Sequence, residues 1–177
     1  IDGGDRAGGN LFHSFGNFSV PTGGSANFLN SNDINNIISR VTGGSITSID
    51  GLIRANGSAN LFLINPAGVI FGPNASLSIG GSFLGSTADS VLFNDGREFS
   101  AVNAQGKPLL TINAPIGLGI RDNPAPITNN SVADRVGLQV NPGQNITLVG
   151  GNLDFNGGKI FAPGGTVNLV SLGAAGT

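Results

Sequence analysis

Apolar residues in this chain come in short bursts separated by glycine, proline and asparagine. Leu61-Phe62-Leu63-Ile64 is followed 21 residues later by Ser82-Phe83-Leu84-Gly85, and Ile146-Thr147-Leu148-Val149 recurs at the same offset as Val167-Asn168-Leu169-Val170. Between them lie shorter runs, Val69-Ile70-Phe71, Leu77-Ser78-Ile79, Leu153-Asp154-Phe155 and Lys159-Ile160-Phe161, each bounded by turn-forming residues. Runs of this length are strand-sized, and three of them in every ~21 residues make one coil of three strands joined by tight turns. Stacked coils would place each strand about 4.8 Å from its counterparts and align the inward side chains in apolar ladders. The pattern therefore predicts an all-β chain folded as a parallel β-helix.

Three stretches depart from the repeat. Residues 1–30 set Phe12, Phe15, Phe18 and Phe28 among Asn, Gly and Ser. An open solenoid end leaves strand edges unpaired, and this aromatic-rich stretch is predicted to be a β cap over that end. In residues 33–41, Ile34, Ile37, Ile38 and Val41 fall at helical spacing behind Asp33 as an N-cap candidate. The run is brief, β-branched and followed by Gly43-Gly44, which favours a short strand over one helical turn. Residues 94–130 carry Asn94-Asp95-Gly96 and Gln105-Gly106-Lys107 turns and prolines at 124 and 126. They read as a hairpin excursion from the coil followed by an irregular loop. The chain is thus expected to be a single domain over 1–177, with coils in about 38–93 and 140–177.

Composition sharpens this picture. Thirty Gly, 22 Asn and 9 Pro beside only 10% charged residues describe a turn-rich chain, while 39% apolar residues separate it from disordered sequences. One Glu, two Lys and no Met leave little to build an amphipathic helix from. The Asn and Gly excess suits coil corners, where left-handed backbone conformations are expected. A net charge of −2 with singly scattered Arg and Lys offers no basic stripe for nucleic acid. No apolar run approaches the ~18 to 20 residues of a membrane-spanning helix, so the chain is expected to be soluble. The absence of cysteine removes disulfides, thiolate metal sites and a thiol nucleophile, and suits a chain threaded unfolded through a compartment.

Candidate chemistry is sparse. Parallel β-helices include polysaccharide-processing enzymes, which need two or three converging carboxylates. The ten carboxylates here include no pair at the coil offset, and Asp95 and Glu98 fall in an expected turn. His13, the sole histidine, sits among phenylalanines and reads as packing or surface. Gly-rich stretches at 43–48 and 164–169 lack the lysine and following helix of a phosphate cradle. No cofactor and no metal site is expected.

Four stretches together resemble a known family. Arg40-Val41-Thr42-Gly43, Gly51-Leu52-Ile53-Arg54-Ala55-Asn56-Gly57, Asn65-Pro66-Ala67-Gly68-Val69 and Phe83-Leu84-Gly85-Ser86-Thr87 follow one another as in the two-partner secretion domain of filamentous-haemagglutinin-like exoproteins, the haemagglutination activity domain family. Phe15, Phe18, Asn27 and Phe28 also fit that family's start, and the wording of residues 60–72 is similar to cyanobacterial members. The resemblance implies a right-handed parallel β-helix with an N-terminal β cap and extra-helical strands. It implies a non-enzymatic, monomeric domain that addresses a large exoprotein to an outer-membrane barrel transporter, whose periplasmic POTRA domains bind it on the way to the cell surface or medium of a Gram-negative-type bacterium. The first coils would then nucleate folding, and thousands of further residues would follow. The recognition or folding motif would be Asn65, Pro66, Ala67, Gly68 and Val69, where the family has Asn at the third position, and Asn30, Ser31, Asn32 and Asp33, in place of the family's Asn-Pro-Asn-Leu. A carbohydrate-binding or adhesive β-helix module is the alternative, and the lack of Trp and Tyr denies it an aromatic platform.

Overall fold

The computed structural model describes residues 1–104 and 110–173. In chain order the strands are β1 (Asp5–Ala7), β2 (Asn10–Phe15), β3 (Ser25–Phe28), β4 (Asn36–Val41), β5 (Thr47–Ile49), β6 (Leu52–Ala55), β7 (Asn60–Ile64), β8 (Val69–Phe71), β9 (Ser76–Ser78), β10 (Phe83–Ser86), β11 (Ser90–Phe93), β12 (Glu98–Ser100), β13 (Pro115–Gly119), β14 (Ile127–Asn129), β15 (Leu138–Gln139), β16 (Ile146–Gly150), β17 (Leu153–Phe155), β18 (Ile160–Phe161) and β19 (Val167–Ser171). A single 3-10 turn, Ala133–Arg135, is the only helical element among the described residues.

The chain visits three sheets in rotation. Strands β2, β4, β7, β10, β16 and β19 pair in parallel in the first, with β1 added antiparallel at one edge. The second stacks β5, β8, β14 and β17 in parallel, and Val20 extends it through a bridge to Ile49. On the third side β3, β6 and β9 pair in parallel, β15 lies against β9, and β15 pairs with β18. This is a parallel β-solenoid, the fold class that the short bursts predict. The run at 33–41 contributes a strand, β4.

Inward side chains stack in register. Leu11, Ile37, Leu61, Phe83 and Ile146 form one ladder, each 8% exposed or less, and Ile49, Phe71, Val69 and Ile127 line the second sheet's inner face. Each such side chain stabilises the fold by about 1.5–3 kcal/mol on burial. One detail differs from the sequence expectation: Leu61 pairs with Phe83, an offset of 22 and not 21. Strand side chains alternate between faces, so an offset of 21 would turn Ser82 inward and Phe83 out to solvent. From coil to coil the first sheet advances by 26, 24, 22, 63 and 21 residues. Only the last value is the one read from the bursts.

The advance of 63 contains the excursion. Strands β11 and β12 form a hairpin, and where an irregular loop is expected β13 returns along β11 and β14 already rejoins the coil. The turn at Asn94-Asp95-Gly96 closes that hairpin, with bonds from Gly96 N to Phe93 O and from Phe93 N to Arg97 O, 3.0 Å each. The turn read at Gln105-Gly106-Lys107 lies outside the described residues. The three excursion strands pack on the outer face of the first sheet, burying Phe12, Ile38 and Ile64 under Val91, Phe93 and Phe99. Within residues 1–30, β2, Val20 and β3 already pair in parallel with the next coil, and Ile1 and β1 lie over their free edges.

Candidate functional site

The corner between β7 and β8 is built by Asn65-Pro66-Ala67-Gly68. Proline presets the turn's φ, and the Asn65 side chain closes it, its Oδ1 accepting the Ala67 N–H at 3.0 Å while its carbonyl accepts the Gly68 N–H at 3.0 Å. Gly68 has φ +123, a conformation that side-chain-bearing residues rarely adopt, and a Cβ there would meet the Pro126 carbonyl at 3.4 Å. Asn65 is 1% exposed, and its Nδ2 donates to Ser45 O and to Thr47 Oγ1 of the preceding coil, both at 2.9 Å. Its backbone N–H donates to Ser86 O of the following coil at 2.9 Å. One asparagine thus joins three successive coils. Val69 is buried in the core, and Ala67 is half-buried.

Outside this corner lies an open cleft of about 400 Å³, lined among others by Val41, Thr42, Pro66, Val102 and Arg121. Arg121 donates to the Pro66 carbonyl at 2.8 Å and pairs with Asp89 at 2.6 Å. It clamps the return of the excursion onto the corner.

Residues Asn30 to Asp33 occupy the corner between β3 and β4. Asn30, 6% exposed, treats Asn56 as a strand neighbour: its Oδ1 accepts the Asn56 N–H at 2.9 Å and its Nδ2 donates to Asn56 O at 3.0 Å. Ser31, Asn32 and Asp33 are exposed. Arg6 reaches Asp33 at 2.5 Å and Ser31 Oγ donates to it at 2.6 Å, and these bonds, the Arg6 one foremost, hold the carboxyl down at about 2. The two stretches do not meet. One precedes the first sheet and the other follows it, a strand's length of about 15–20 Å apart.

The family described as TPS secretion domain matches residues 1–177. The chain belongs to the TPS secretion domain family. No curated protein and no solved structure matches it. A TPS domain marks a secreted exoprotein of a two-partner system, exported through an outer-membrane transporter, its TpsB partner. Family and fold are those typical of non-enzymatic exoprotein domains. No helix of the described residues is long and apolar enough to cross a membrane.

The other stretches that carry the family likeness are also structural joints in this TPS domain. Arg40 is 5% exposed, lies 4.3 Å from the centroid of the Phe99 ring, and donates to Ser14 Oγ at 2.8 Å and to Ser100 O. Burial lowers its pKa, although the guanidinium stays charged. Ser86 and Thr87 are fully buried, their hydroxyls donating to Val149 O and Ala125 O at 2.7 Å each.

One device escapes the sequence reading altogether. Asn10, Asn36, Asn60, Ser82, Asn145 and Thr166 stand at or just before the start of each parallel strand of the first sheet. Side-chain bonds of 2.8 to 3.0 Å link Asn36 to Asn10, Asn60 to Asn36, Ser82 to Asn60, Asn145 to Ser82 and Thr166 to Asn145. Asn10 continues the ladder into the excursion through Thr111 O and Asn113 O, at 3.0 and 2.8 Å. The visible signal was a small polar residue immediately before each apolar burst.

Proposed function

We propose that this TPS domain is the address of its exoprotein, bound by the periplasmic POTRA domains of the barrel transporter, and that once outside it is the folded end on which later coils stack. The family match over residues 1–177 carries the reading. The domain acts as a monomer, without cofactor or catalysis.

The two ends of the solenoid support the stacking role. At the N-terminal end the edge strand β1 carries Asp5 and Arg6, charges that discourage edge pairing. At the other end Val167 and Leu169 continue the inward ladder of Ile146 and Leu148, yet stand 41% and 48% exposed. Ile160 of β18, in register with the buried Leu138, is likewise only half-buried. Core positions left uncovered in register, along a strand whose outer edge is unpaired among the described residues, are what a further coil would cover.

Asn65 in the folded domain is spent on internal bonds. A transporter that reads its side chain therefore reads it before folding, through an extended segment pairing with a sheet edge. Co-expression with the cognate transporter should release the domain into the medium, and retention by that transporter would overturn the address. The recognition role of Asn65 has its own test. Asn65→Ala should weaken binding of the unfolded segment to purified periplasmic domains at least ~10-fold, about 1.4 kcal/mol; lost secretion with unchanged binding leaves a folding role alone.

A further inference from the structure

His13 lies on β2 between Leu11 and Phe15, at the mouth of the solenoid. Its ring is 6% exposed, stacks on Phe15 at 5.8 Å between centroids and meets the edge of Phe28 at 5.3 Å. Gly4 lies across it so closely that a Cβ there would come within 2.7 Å of the ring. His13 Nε2 is buried with no hydrogen-bond partner, and the hydroxyl of Ser39, its register neighbour on β4, is also buried and unpartnered. Between the N-terminal segment and β2 an open pocket of about 360 Å³ is lined by Asp2, Gly4, Asp5, Phe12, His13 and Phe15 among others.

A neutral imidazole fits this cage at the cost of one idle ring nitrogen. An imidazolium would bury a charge and leave an N–H aimed at no acceptor, a far larger cost. The charged groups around it do not compensate. Burial is the strongest influence and lowers the pKa below 6.5, and Asp5 on β1 opposes it. Asp2 lines the outer pocket, β3 offers no titratable side chain, and Arg40 on β4 is engaged with Ser14 and the excursion.

We propose that His13 makes the N-terminal cap an acid-sensitive latch: protonation expels the ring from the Phe15–Phe28 cage and releases Ile1 to Ala7 from β2 and β3. What is released is the β1 ladder, from Asp5–Phe12 to Ala7–Asn10, and the bonds of Ile1 to Asn27 O at 2.6 Å and from Leu29 N at 2.8 Å. Free edges of two sheets then become available for pairing at acidic pH. The folded form holds its proton less tightly than the open form, so this stabilisation is present above pH 6.5 and is lost as pH falls from there towards the lower folded value.

A single histidine gives a single NMR titration, which can be read alongside amide exchange in β1 and β2 of the same sample. Corrected for intrinsic rates, the opening equilibrium of Asp5, Ala7 and Phe12 should rise up to ~10-fold per pH unit below pH 6.5, with β16 unaffected. His13→Phe should flatten that dependence. The latch is overturned if wild-type protection of these amides does not change with pH, if His13 titrates at or above 6.5, or if a folded His13→Phe domain opens with the same pH dependence. Should His13→Phe not fold, His13→Gln serves for the same comparison.

Discussion

At the scale of single residues, asparagine does different work from the one its abundance suggests. Left-handed backbone is expected at Asn-rich corners, yet among the described residues Asn123 is the only asparagine with positive φ, while twelve glycines have it. Asparagine instead contributes its amide, which can imitate a strand's own donor and acceptor and bond to the coil above or below. Asn65 shows the consequence most clearly. Asn65→Ala would orphan the Ala67 N–H, the Thr47 hydroxyl and the Ser45 carbonyl at a nearly closed corner. The expected loss is about 2–4 kcal/mol, read as a lower denaturation midpoint of the isolated domain with unchanged m-value. Asn65→Asp should be worse, because a carboxylate replaces the donor facing Ser45 O. The motif Asn-Pro-Ala-Gly was legible as a turn, since proline and glycine restrict the local backbone. The bonds that bury Asn65 were not, because their partners Ser45, Thr47 and Ser86 lie about 20 residues away in either direction.

Among the elements, β4 explains why its sequence looked half helical. Ile37 and Val41 point into the core, Ile38 points outward, and Ile34 fills the corner before the strand; all four are at most 2% exposed. A strand covered on one face alternates, whereas one covered on both shows apolar neighbours at any spacing. The second cover is the excursion sheet, and Arg40 is its fastening. Arg40→Met keeps much of the volume but leaves the Ser100 carbonyl and the Ser14 hydroxyl without their donor. Amide exchange in β11 and β12 should accelerate by roughly 10- to 100-fold, equivalent to about 1–3 kcal/mol, while β16 and β19 hold their protection. Equal loosening throughout would mean that the excursion and the coil unfold as one unit. The excursion itself was visible as a break in the pattern. Its third strand, Pro115–Gly119, was not, because two glycines and a proline in five residues are poor strand formers and take that form through pairing with β11.

Across the whole molecule, the two ends of the solenoid are unlike, closed by charge at one and open along its core at the other. Leu169→Lys places a charge at an inward position that is 48% exposed in the isolated domain. Its own stability should shift by no more than about 0.5 kcal/mol, by thermal or denaturant unfolding. In a longer chain that carries further coils beyond β19, the proposed stacking would bury the same lysine in their core, and the protease-resistant fraction should fall sharply; an unchanged fraction would count against stacking on this end. What the sequence determined by itself was the local part: strand-sized bursts, turns where proline and glycine stand, an all-β coil, and membership of the family. The tertiary structure alone decided which residue stacks on which, the 22-residue step from Leu61 to Phe83, the Asn10 to Thr166 ladder, and the cage around His13. The reason is that the coil lengths vary from 21 to 63 residues. Register is then set by which face each residue buries against chain far away, and no local window contains that information.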